Sequence, residues 1–239
     1  MRIALGILAV CFCNWIGVSV NAAPNIVLIV VDDLGQRDLG CYGSTFHETP
    51  NIDRLAAESM RFTDAYSAHP RCVPSRVGLL SGKYPSRLGQ PGAPDRKLGP
   101  HALPLREVTF GEAFQEAGYR TAYLGKWHLG KDGGGPDAQG FERSIGAGHI
   151  GAPQSYLAPY LSDKGTHGDA GAPPNMKPGA DGTFLPHRLT EEAIGCIKDF
   201  SKDQFLVVLA HYAVHTPIEA PKELVAPFAA KAAKLPLIA

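Results

Sequence analysis

Residues 25–35 read NIVLIVVDDLG, and this stretch decides the fold. Every position from Ile26 to Val31 is apolar, and the run then meets Asp32 and Asp33. An apolar run without alternation predicts a strand buried on both faces, as in a parallel sheet with helices on each side. Two adjacent carboxylates at the end of such a strand are costly unless something neutralises them. A hard divalent cation would do so, because calcium and magnesium take oxygen ligands. A solvated turn with one aspartate capping a helix is the alternative, and these residues alone leave both open.

The same pattern recurs outward along the chain. TPNIDRLAAESM predicts a helix with Thr49 as N-cap, Pro50 at the first helical position and an apolar stripe of Ile52, Leu55 and Ala56. RFTDAYS reads as a short strand. Pro74 opens a second helix that buries Val77 and Leu80. LREVTFGEAFQEAGY reads as a helix ending at Gly118, and RTAYLGKWHLG as a strand followed by a tight polar turn. From Lys131 to His187 the chain is rich in Gly, Pro, Asp and Ala and reads as long surface loop with short elements. LTEEAIGCIKDF resumes a helix capped by Thr190, and QFLVVLAHYAVHTP is another buried strand. Strand and helix alternate, and polar residues collect at strand ends. This predicts an α/β fold with a mostly parallel or mixed central sheet and helices on both faces. Ligands in such sheets bind beyond the carboxyl ends of the strands. Asp32, Asp33, Lys126, His128, His211 and His215 all fall there.

The formal net charge is zero over 239 residues, which argues against a broad basic surface for nucleic acid. Hydrophobic content of 44% with 19% charged residues is enough for a packed core. Residues 1–22 have one early positive charge, an apolar run and small residues near Ala22, the anatomy of a secretory signal peptide. An uncleaved membrane anchor and a lipoprotein signal ending at Cys11 are the rival readings; Val10 before that cysteine argues against the second. The expectation is an exported chain, periplasmic or secreted, with no stable membrane partner. Its mature part would keep Cys41, Cys72 and Cys196, an odd number that leaves at least one thiol unpaired.

Cys72 lies just before the predicted helix at Pro74. A helix N-terminus carries partial positive charge and free N–H groups, which favour thiolates and bound anions. Arg76 adds a permanent charge. A packed core thiol is the other reading. Lys126 and His128 alternate with Trp127, so an extended backbone would point both the same way. His215, between an apolar strand and Pro217, reads either as a site residue or as a hydrogen-bonded structural histidine.

CVPSRVGLLSG, residues 72–82, closely resembles the signature of the type I sulfatases. NIVLIVVDDLG, TPNIDRLAAES, GKWHLG and AVHTPIEAP accompany it in that family's order. The resemblance implies the alkaline-phosphatase-like fold of that family and hydrolysis of a sulfuric ester. It implies that Cys72 is oxidised by a formylglycine-generating enzyme before folding, and that the hydrate of the resulting aldehyde attacks sulfur. By the same resemblance Asp32, Asp33 and residue 72 hold a divalent metal, calcium ahead of magnesium. Arg76 holds the hydrate, Lys126 binds hydrate and sulfate, and His128 is the base for the collapse step. His215 binds sulfate and protonates the leaving oxygen. Cys41 and Cys196 have no such role and are expected to be buried thiols.

The family completes its metal site with a later Asp-Asn or Asp-His pair and a further lysine. Residues 216–239 contain no aspartate, asparagine or histidine. Residues 23–239 are therefore expected to be an N-terminal portion of a sulfatase catalytic domain, with weak calcium affinity, an uncovered sheet edge and poor stability or activity alone. Two other functions are weighed: a phosphoester or phosphonate ester hydrolase of the same superfamily, and a catalytically inactive exported fragment.

Overall fold

In the computed structural model, residues 23–90, 103–130, 133–162 and 170–234 are described. The expected signal peptide, residues 1–22, lies outside them. The elements in chain order are β1 (Ile26–Val31), α1 (Pro50–Glu58), α2 (Cys72–Ser81), α3 (Phe110–Glu116), β2 (Arg120–Gly125), β3 (Arg143–Ile145), β4 (Ala152–Pro153), β5 (Ala170–Gly171), α4 (Leu185–Asp199), β6 (Phe205–His211) and α5 (Lys222–Ala232).

Four strands form one sheet in the order β1-β6-β2-β3, with every neighbouring pair parallel. The fold is the α/β class expected from the alternation of apolar runs. Because the strands run the same way, the residues after β1, β2 and β6 emerge along a single edge. Side chains alternate across the sheet and feed two cores. On one face Val207, Leu209 and Leu124 pack with Leu185, Leu189 and Ala193 of α4. On the other, Val208, Leu206 and Tyr123 pack with Val77 and Leu80 of α2 and with Trp127.

Several local expectations are corrected. Residues 61–67 form no strand: side chains of Gln36 and Tyr42 hydrogen-bond the carbonyls of Thr63 and Phe62, and Phe62 and Tyr66 are exposed. α1 begins at Pro50 with Thr49 at the N-cap position as expected, but the Thr49 hydroxyl makes no capping bond; it donates to Asp53, and the Ile52/Leu55 stripe stays exposed. α2 begins two residues earlier than Pro74, so Cys72 is its first residue rather than a residue before it. α3 is shorter than its sequence pattern, starting only after Thr109, which caps it in a reciprocal pair with Glu112.

α4 starts at Leu185, five residues before Thr190. The TEE triplet looks like a helix start, yet the Thr190 hydroxyl bonds the Pro186 carbonyl at 2.7 Å from inside the helix. The apolar period of Leu185, Leu189, Ala193 and Cys196 decides the boundary. The described residues between Lys131 and His187 form the expected short elements, but they are mostly buried or half-buried rather than surface loop. They supply β3, the sheet's outer strand, and bury Phe141, Ile150, Tyr156 and Tyr160. Their Gly and Pro residues build turns that fold the segment back onto the sheet, so local composition misreads its burial.

Candidate active site

β1 delivers Asp32 into the interior, where the residue is 6% exposed. Its backbone is fixed by the loop after β6: Asp32 N–H donates to the Ala213 carbonyl at 2.9 Å, and Val214 N–H donates to the Asp32 carbonyl at 2.7 Å. Both carboxylate oxygens are paired. Arg76 Nη2 donates to Oδ1 at 3.0 Å and Lys126 Nζ to Oδ2 at 2.5 Å. Burial alone pushes the Asp32 carboxyl up, but Lys126 and Arg76 outweigh it and hold the group below the usual carboxylate range.

Lys126 reaches this position because β2 ends in a glycine. Gly125 has φ +88, and a Cβ there would lie 2.0 Å from the Ala210 carbonyl oxygen of β6. The chain turns at that contact, Lys126 N–H bonds the same carbonyl at 2.7 Å, and the side chain is completely buried. Tyr123 braces the cluster: its hydroxyl donates to the Lys126 carbonyl at 2.8 Å, which also accepts from Arg76 Nη1 at 2.7 Å. Trp127 is packed inward with no exposed surface, so the segment after β2 is a buried turn rather than a polar surface one. His128 has φ +63. The backbone is therefore not extended there, and alternation does not fix the direction of its ring. Its N–H bonds the Gly148 carbonyl at 2.9 Å.

Asp33 also has positive φ, 59°, and its carboxylate is exposed. His215 Nε2 lies 3.8 Å from Asp33 Oδ2. His215 Nδ1 is 2.9 Å from the Thr216 carbonyl, which can only accept, so Nδ1 donates there and Nε2 is the ring atom turned toward Asp33. Asp32, Asp33 and His215 each offer one ligand atom within 4.8 Å of the others, a group able to hold a metal ion. The Cys72 thiol is not part of that group. It is half-buried, on the helix face it shares with Arg76 one turn later. Arg76 Nε is buried with no hydrogen-bond partner, an orphan donor that fits an added oxygen acceptor.

A family model described as Sulfatase matches residues 24–236. The chain belongs to the sulfatase family. It is 49% identical over 136 residues to human arylsulfatase A, covering 54% of this chain and 26% of that protein. It is 42% identical over 137 residues to the steryl-sulfatase of Rattus norvegicus, covering 52% of this chain and 23% of that one. The solved structure described as Ps i-CgsB in complex with k-i-k-neocarrahexaose superposes with a TM-score of 0.70 at 35% identity, covering 86% of this chain and 48% of that one. The chain thus spans about a quarter of the length of those curated relatives and about half of that solved structure.

Among the described residues all three cysteines are free thiols. Cys196 is buried as expected; Cys41 is half-buried, its N–H bonded to Asp53 at 2.7 Å. Four residues at the site were not found by sequence reasoning: Tyr123, Tyr156 and Glu219 entirely, and His211 as more than a strand-end residue. Tyr156 donates to the His215 carbonyl at 2.9 Å from 59 residues away, and no local pattern signals such a contact. His211 pairs with Val31 in the ladder, and its buried Nδ1 lacks a partner. No helix of the described residues is long and apolar enough to cross a membrane.

Proposed function

We propose that this chain forms the nucleophile-bearing part of an exported sulfatase that hydrolyses a sulfate ester of a small molecule or carbohydrate. The observation that carries the reading is the convergence on Asp32: one buried carboxylate is held by two buried cations beside the helix start that presents Cys72. One negative and two positive charges leave the buried cluster with an excess positive charge, which suits a sulfate monoester anion.

In this reading Cys72 is converted by a formylglycine-generating enzyme, and the hydrated aldehyde supplies the oxygen nucleophile. The orphan Arg76 Nε supports the assignment of Arg76 as the donor that holds that oxygen. Asp32 and Asp33 are the protein's ligands for a divalent cation, calcium ahead of magnesium, which polarises a sulfate oxygen when bound. Lys126 binds the sulfate from the cationic side of the cluster. His128 is the base that removes the hydroxyl proton. His215, oriented by its Nδ1–H bond to Thr216, protonates the leaving oxygen from Nε2–H in its imidazolium form and is left as the neutral ring.

Two measurements test this. Mass spectrometry of the peptide containing residue 72, from protein made in its native host, should find a form lighter than cysteine by the thiol-to-aldehyde exchange. Parallel assays on an aryl sulfate and an aryl phosphate should give turnover of the sulfate. Unmodified cysteine with no sulfate turnover would sink the proposal, and preferred phosphate turnover would favour the phosphoester alternative.

A further inference from the structure

The loop that carries His215 is tied down at two points by side chains that the reaction does not use. Tyr156 is 2% exposed and its ring packs in the α4-side core, with Phe184 at 6.3 Å between centroids. From there its hydroxyl donates to the His215 carbonyl at 2.9 Å. Four residues on, Glu219 closes the return path. Its Oε2 accepts from Tyr156 N–H at 2.7 Å and from Ser155 Oγ at 2.8 Å. The side chain of residue 156 thus holds the loop at His215 while its backbone is held by the loop's far end. A carbonyl bonded from a rigid core sets the direction of its own residue's side chain, and a misplacement near 1 Å is enough to lose a catalytic contact.

We propose that Tyr156 and Glu219 are positioning residues for His215: they fix the imidazole against Asp33 and the departing oxygen, and neither touches the substrate. The proposal rests on the role given above to His215, and its test separates the two. The full chain, its Tyr156→Phe variant and its Glu219→Ala variant are compared on aryl sulfates whose leaving phenols span a range of acidity. Tyr156→Phe keeps the buried ring, and Glu219→Ala removes the acceptor from a loop residue, so each checks the other against simple misfolding. A mispositioned proton donor costs most where the leaving oxygen most needs a proton. Both variants should lose about tenfold or more on the poorest leaving group and little on 4-nitrophenyl sulfate. A loss of folded molecules lowers all substrates equally, and such a uniform loss overturns the proposal.

Amide hydrogen exchange gives a readout independent of turnover. Val214 and His215 amides bond the Asp32 and Tyr212 carbonyls. In both variants they should exchange about tenfold faster, with the β6 amides unchanged. If the unaltered chain hydrolyses no aryl sulfate, the role proposed for His215 goes unsupported while exchange still decides the positioning. Unchanged exchange at Val214 and His215 overturns it.

Discussion

β1 and β6 lie side by side in one sheet, and both are uninterrupted apolar runs. In the ladder Val27 sits opposite Val207 and Ile29 opposite Leu209. Val207 has no exposed surface and Leu209 is 5% exposed, whereas Val27 is 47% and Ile29 58% exposed. The difference lies in the neighbours, not in the residues. β6 has strands on both sides, α4 over one face and the Trp127 cluster over the other. β1 is the edge strand: Ile26, Leu28 and Val30 pack against the Trp127 cluster, but among the described residues nothing covers Val27 and Ile29. An apolar run states that cover is wanted; the sheet order states whether it is supplied.

The largest test of that contrast places a charge on each side of one rung. Val207→Asp buries an unpaired carboxylate between strand and helix and should cost about 4 kcal/mol or more, enough to unfold a marginal domain. Val27→Asp, on the open flank, should cost less than about 1 kcal/mol. Urea titration followed by circular dichroism measures both. A Val27→Asp loss above about 2 kcal/mol would mean that the flank is covered in solution, and the contrast would break.

The ends of the two strands sharpen it further. Asp32 and Asp33 are adjacent, yet one is locked between two cations and the other is exposed. Asp32→Asn leaves Arg76 and Lys126 buried without their counter-charge and should cost about 3 kcal/mol. Asp33→Asn keeps a residue that tolerates positive φ and should change stability by about 0.5 kcal/mol or less. If the pair belongs to one metal site, both variants should nevertheless weaken calcium binding by calorimetry. Retained affinity in Asp33→Asn would remove that residue from the proposed ligands.

The sequence-level reading succeeded where burial follows from a single strand's pattern and failed where it follows from contacts far apart in sequence. The strands at Ile26, Arg120 and Phe205 were legible from their apolar runs, and the parallel sheet made Asp32, Lys126 and His215 neighbours because their strands end on the same edge. The pairing of Asp32 with both Lys126 and Arg76 was not legible, since those contacts span 94 and 44 residues. Tyr156 and β3 were hidden for a different reason: they lie in a Gly- and Pro-rich segment whose burial comes from tight turns, not from periodicity. α4 was misplaced because a polar TEE triplet imitates a cap in mid-helix.

The smallest expected effect is a difference in pH dependence between the two strand ends. Burial pushes His211 below its ordinary 6.5, and the ladder places it beside Val31, next to Asp32. The unfolded chain therefore takes up a proton at this position before the folded chain does. Stability from this group is whole above pH 6.5 and falls as pH drops from 6.5 toward the folded value. Asp32 is held below 3.8, so its contribution is whole above 3.8 and is lost only as pH falls through its lower folded value. The two strand ends thus begin to lose stability at different pH, His211 below 6.5 and Asp32 below 3.8. The urea midpoint of the unaltered chain, minus that of His211→Gln, should fall between pH 7 and pH 5, because the glutamine has no proton to take up. The same difference should go on falling until His211 is protonated in both states and flatten only below its folded value. A difference already flat between pH 7 and pH 5 would show that the His211 ring reaches solvent or a partner at the open flank of β1, and that the two strand ends are not distinguished by burial.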